Sequence, residues 1–83
     1  MTRHTLKPHP GDVWRGDGWW VGHIPADQHS RWGEMVRIEN GDFGAYLVPS
    51  SGGGFAGRAA LNGAGKRFRL RREGDDMVLE IQG

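Results

Sequence analysis

The segment from Gly57 to Arg72 carries six basic side chains and no acidic one. Alternation along β-strands would place four of its arginines on one side of two neighbouring strands, and we name this set the arginine face: Arg58, Arg67, Arg69 and Arg71. Each guanidinium group in such a row can donate two parallel hydrogen bonds to the oxygens of one phosphate or carboxylate group. The pattern therefore indicates contact with a polyanion. Tyr46 or a tryptophan on the same side would stack a base.

The competing interpretation of the arginine face is a solvated surface, which also discourages aggregation between sheet edges. Four acidic residues follow it in the sequence and would weaken its field: Glu73, Asp75, Asp76 and Glu80. Pairing about the turn at residues 74–75 sets Arg69 against Glu80, which predicts an ion pair. The net charge of +1 is also far from the basicity of most nucleic-acid binders. These features favour the solvated surface and leave polyanion binding as a hypothesis.

A second group of candidate residues lies in the first part of the chain, where all four tryptophans occur. The candidate contact residues in this group are Trp19, Trp20, His23 and Trp32. Adjacent Trp19 and Trp20 on a strand must face opposite ways, so one packs in the core while the other meets solvent, a pocket or a partner. These indoles with His23 would bind a small molecule or a protein, or they would cover one end of a thin barrel.

Catalytic and metal-binding patterns are weak. His23, Asp27 and His29 would converge if residues 25–33 formed a turn, but their spacing matches no established zinc site, so we predict neither a metal nor another cofactor. The serines before Gly52 lack the strand-to-helix elbow of a hydrolase, and the glycines lack the lysine and helix of a phosphate loop. Cysteine is absent from the sequence, which removes thiolate chemistry. An enzyme is therefore the third interpretation.

Strands must position these residues, because no segment has the period of a helix. Asn40-Gly41 is the preferred pair for a type I′ hairpin turn, and residues alternate between apolar and polar on both sides of it. A second hairpin about residues 74–75 pairs Phe68 with Ile81 and Leu70 with Leu79. The core predicted from the two hairpins is Phe43, Phe68, Leu70, Leu79 and Ile81.

The sequence of 83 residues is long enough for one domain. We predict an all-β fold: a small antiparallel meander of about six strands, closed or partly open as a barrel, with at most a short helical turn near 26–32. Residues 1–11 are predicted to be a flexible tail, and residues 12–83 a single small β domain. An open sheet that forms a homodimer through its edge is the alternative to closure.

No apolar run approaches the length of a membrane helix, and the polar N-terminus lacks a signal-peptide pattern, so we expect a cytoplasmic protein that does not contact membranes. The function that we expect is a non-catalytic binding module that contacts a protein or an anionic macromolecule. The alternative is a small-molecule-binding barrel with a mouth lined by tryptophan and histidine.

Overall fold

The computed structural model describes residues 1–26 and 33–83, which form a closed barrel of eight antiparallel strands. In chain order the strands are β1 (Thr2–His9), β2 (Val13–Gly16), β3 (Trp19–Ile24), β4 (Met35–Asn40), β5 (Phe43–Pro49), β6 (Phe55–Leu61), β7 (Ala64–Glu73) and β8 (Asp76–Gln82). The predicted all-β meander is confirmed, with eight strands instead of about six. The predicted helical turn lies almost entirely outside the described residues and stays a prediction. No helix in the described ranges is long and apolar enough to cross a membrane.

The hairpin of β7 and β8 has the predicted register. Phe68 pairs with Ile81 and Leu70 pairs with Leu79, as alternation about the turn requires. Gly74 begins the turn with φ of 63°, in the left-handed region that favours glycine. The agreement between the turn residue and the apolar pattern on both strands explains why this register is unambiguous.

The turn between β4 and β5 is centred one residue later than predicted. Asn40 pairs with Phe43, so the central residues of the turn are Gly41 and Asp42 and not Asn40 and Gly41. Gly41 has φ of 59°. A type II′ turn needs positive φ only at its first central position, and Gly41 alone meets that need. The shift moves every cross-strand partner by two residues, so Ile38 still faces the core.

The N-terminal segment is a strand, which corrects the predicted flexible tail. Thr2 to Leu6 pair with β8, and Lys7 to His9 pair with β2. Leu6 alone among these residues is fully buried, so the segment has too few apolar residues to be recognised as a strand from its sequence. Backbone bonding to strands on both sides holds it in the barrel. A homodimer through a sheet edge would first have to open this ladder.

Side chains fill the barrel interior, as expected for a barrel of this strand number. Phe68, Leu70, Leu79 and Ile81 belong to one buried cluster, and the half-buried Phe43 packs against it, so the predicted core is confirmed. The rings of Phe43 and Phe68 stack with centroids 5.4 Å apart. Trp19 meets both of these rings edge-on, so three aromatic side chains pack together toward the end of the barrel that holds the β4–β5 turn.

Candidate functional site

The arginine face lies on the outer wall of the barrel, on β6 and β7. Phe68 points into the core, so its neighbours Arg67 and Arg69 point outward, and Arg71 follows on the same side. The β6–β7 register sets Arg58 directly opposite Arg67. The structure therefore brings all four arginines to one surface, as the alternation predicts.

Carboxylates neutralise only one end of the arginine face. Glu80 lies opposite Arg69 in the β7–β8 register. Its Oε2 atom nevertheless accepts a hydrogen bond from Nη2 of Arg3 at 3.0 Å and lies 4.0 Å from Nη2 of Arg71. Nη1 of Arg71 also donates to Oε2 of Glu73 at 2.7 Å. The predicted ion pair between Arg69 and Glu80 is therefore wrong, because Arg3 approaches the same carboxylate from β1.

At the other end of the arginine face, the positive charge is not paired with nearby carboxylates of the described residues. Across residues 1–26 and 33–83, no carboxylate lies within 4.0 Å of the guanidinium groups of Arg58, Arg67 and Arg69. Asp76, one of the acids expected to weaken the field, bonds instead to Nζ of Lys7 at 2.9 Å. The remaining positive charge is thus concentrated on β6 and the first half of β7.

Tyr46 continues the arginine face onto β5. Its side chain is 54% exposed, and the guanidinium carbon of Arg37 on β4 lies 4.8 Å from its ring centroid. The β5–β6 ladder pairs Val48 with Ala56, and the same register continued by two residues places Tyr46 beside Arg58. Arg37 is not among the binding residues predicted above. Alternation about the β4–β5 hairpin, which places it on the same side as Tyr46, is the signal that identifies it.

Trp19 and Trp20 face opposite sides of β3, as alternation predicts. Trp19 is only 4% exposed and packs edge-on against Phe43 and Phe68, so it is a core residue and does not offer a contact surface. Trp20 is half-buried on the outer wall, and its indole ring lies across Gly22. The Cβ of any other residue at position 22 would overlap that ring. Of these two candidates, only Trp20 is available to a partner.

A cavity of about 300 Å³ opens at the mouth of the barrel, the end that holds the turns after β1, β5 and β7. Its lining includes Trp14, His23, Phe55, Leu70, Arg72 and Met77. The indole N–H of Trp14 donates to the carbonyl oxygen of Asp75 at 2.9 Å, which fixes the ring. The guanidinium carbon of Arg72 lies 5.2 Å from the centroid of that ring. Tryptophan and histidine therefore do lie together at the mouth, although the tryptophan is Trp14.

His23 links two parts of the mouth through both of its ring nitrogens. Nδ1 lies 3.3 Å from Oδ2 of Asp12 in the β1–β2 turn, and Nε2 lies 2.6 Å from Oε2 of Glu34 just before β4. An imidazole donates both of these bonds only when it carries two protons. Because the carboxylates meet opposite sides of the ring, they do not converge on one point as metal ligands would.

Three of the predicted site residues lie outside the described residues: Asp27, His29 and Trp32. Within the described ranges, no group of three histidine, aspartate or glutamate side chains is arranged to hold a metal ion.

An arginine-rich wall and an amphipathic mouth are thus among the places where this chain could bind another molecule. Comparison of the chain with protein-family models, with curated proteins and with solved structures finds no match.

Proposed function

We propose that this chain is a non-catalytic binding module whose arginine face binds an anionic macromolecule. The observation that carries the proposal is the exposed trio Arg58, Arg67 and Arg69, which has no carboxylate within 4.0 Å in the described part of the chain. Arg3 and Arg71, on the same wall, share the carboxylate of Glu80. The uncompensated charge therefore belongs to a defined patch on two strands and not to the whole wall.

The spacing of the trio suits several linked anionic groups better than one. Opposite residues in an antiparallel ladder have Cβ atoms about 5 Å apart, and residues two positions apart on a strand are separated by about 6.7 Å. Arg58 and Arg67 are directly opposite each other, an arrangement of like charges that destabilises a sheet by a few tenths of a kcal/mol or more. A polyanion laid along β6 and β7 would contact all three guanidinium groups and relieve that repulsion.

Tyr46 favours single-stranded nucleic acid among the polyanions. It is exposed beside the charged patch, and base stacking on an aromatic side chain contributes about 1–3 kcal/mol per base. Sulfated polysaccharides offer the same charges without a flat base. The arginines would hold the backbone while Tyr46 stacks one base.

The test is the binding of a fluorescent oligothymidylate of about ten nucleotides, followed by anisotropy between about 50 and 200 mM salt. Three phosphate contacts to a single strand predict a slope of log affinity against log salt of about −2, at about 0.7 per contact. Arg67→Gln and Arg69→Gln should each flatten the slope by about 0.7. Arg71→Gln is the matched control, because its charge is already engaged by Glu73 and Glu80, and it should change the slope least.

Tyr46→Ala separates stacking from charge. It should weaken oligothymidylate binding about fivefold or more at every salt concentration without changing the slope, because no charge is removed. Heparin binding should be unaffected by this substitution. Absence of salt-dependent binding at 50 mM salt, or equal effects of Arg67→Gln and Arg71→Gln, would contradict the proposal.

A further inference from the structure

We infer that the cavity at the barrel mouth binds a small organic carboxylate with an apolar body, and that Arg72 binds the carboxylate group. Arg72 alternates with Arg71 on β7 and turns toward the mouth, and Arg71, which also lines the cavity, is where the cavity borders the arginine face. At about 30 Å³ per water-sized group, the cavity of about 300 Å³ accommodates roughly ten non-hydrogen atoms.

The wall of the cavity nearest the core is apolar. Trp14, Leu70 and Met77 are buried side chains that reach the cavity from three strands, and the half-buried Phe55 adds a ring from β6. The indole N–H of Trp14 is already bonded to the Asp75 carbonyl, so the ring presents its apolar surface. These residues would contact the body of a flat or aliphatic ligand but offer it no hydrogen bond, so polar recognition must come from the rim.

Three charged side chains line the cavity, Glu34, Arg71 and Arg72, and Arg71 is already paired with Glu73 at 2.7 Å. The Glu34 carboxylate accepts a hydrogen bond from Nε2 of His23 at 2.6 Å through Oε2. Arg72 lies over the Trp14 ring at 5.2 Å, and in the part of the chain that the structure describes no carboxylate lies within 4.0 Å of its guanidinium group. An anion therefore finds a five-donor group that is held in place by an aromatic ring.

The pairing of a guanidinium group with a carboxylate is bidentate and planar, and it fixes the orientation of the ligand. The apolar body then extends from Arg72 over Trp14 toward Leu70 and Met77. For a ligand of about ten atoms, an affinity in the millimolar range is the expectation.

The experiment compares three probes of one shape, each titrated into the ¹⁵N-labelled full chain at pH 7: phenylacetate, phenylacetamide and phenethylamine. The indole N–H resonance of Trp14, identified by its loss in Trp14→Phe, reports on the cavity. Phenylacetate should shift this resonance with millimolar affinity, about tenfold more tightly than phenylacetamide, with phenethylamine weakest.

Arg72→Gln should remove the preference for phenylacetate over phenylacetamide, and Arg72→Lys should retain only part of it, because lysine keeps the charge without the planar fork. Arg67→Gln removes one charge from the outer wall and should leave the preference unchanged. The inference is overturned if phenylacetamide or phenethylamine binds as tightly as phenylacetate, or if Arg67→Gln has the same effect as Arg72→Gln. It is equally overturned if none of the probes moves the Trp14 resonance up to about 20 mM, a concentration well above the expected dissociation constant.

Discussion

Replacement of Phe68 by alanine tests the arrangement of the barrel core most directly. Phe68 is fully buried, stacks on Phe43 at 5.4 Å and meets Trp19 edge-on at 6.1 Å. Truncation of a buried phenylalanine costs about 3–5 kcal/mol of unfolding free energy. The two ring contacts place the expected cost at the upper end of that range, since each aromatic pair contributes about 0.5–1.5 kcal/mol beyond its buried area.

This loss is large compared with the total unfolding free energy of a small domain. At about 0.05–0.15 kcal/mol per residue, a chain of this length has an unfolding free energy of about 4–12 kcal/mol. The Phe68→Ala variant should therefore lose at least a third of it, and its melting temperature should fall by more than about 12 °C. Urea and thermal unfolding followed by far-ultraviolet circular dichroism measure both quantities.

Tyr46→Ala is the matched control for Phe68→Ala, because it removes an aromatic ring from the outer wall of the same barrel. Tyr46 is 54% exposed and contacts Arg37 through one side of its ring, so its loss should cost less than about 1 kcal/mol. A Phe68→Ala variant that melts within a few degrees of the parent would show that β7 faces the other way. Equal destabilisation by the two substitutions would have the same meaning.

Three further experiments probe other parts of the fold. Gly54→Ala should destabilise the protein more than Gly53→Ala in urea unfolding: both glycines have positive φ, but only at Gly54 would a Cβ collide with a backbone oxygen of β7. Leu6→Ala should cost about 2–5 kcal/mol, because this leucine is fully buried, and a mobile tail would show no change. In variants that keep only one tryptophan, acrylamide should quench Trp20 more than Trp19, and equal quenching would contradict the orientation of β3.

Local pattern was sufficient to predict the β7–β8 hairpin but not the centre of the β4–β5 turn. About residues 74–75 the apolar alternation and the turn glycine agree on one register. Near Asn40, Gly41 can serve as the second residue of a type I′ turn or the first of a type II′ turn, and both keep Ile38 in the core. The choice depends on pairing over the full length of the strands, which the dipeptide does not encode.

Other features that the sequence did not reveal involve β1. Its single buried residue, Leu6, gives no alternation that could be recognised, and its partner β8 lies at the other end of the chain. Arg3, which takes the carboxylate of Glu80 from Arg69, reaches it only through this ladder. The placement of the arginine face was predictable from alternation, whereas the distribution of its charge depends on a contact between distant parts of the sequence.

The ladder between β1 and β8 also determines how this protein must fold. Every other ladder joins strands that follow each other in the chain, whereas the ion pair of Arg3 and Glu80 joins residues 77 positions apart. Hairpins form on a microsecond timescale, but closing so long a loop carries a large entropy cost before any contact compensates it. We expect the barrel to close last, after β8 has been synthesised. Until then β1 and β8 are both unpaired edges, and the unclosed sheet is the species most exposed to aggregation.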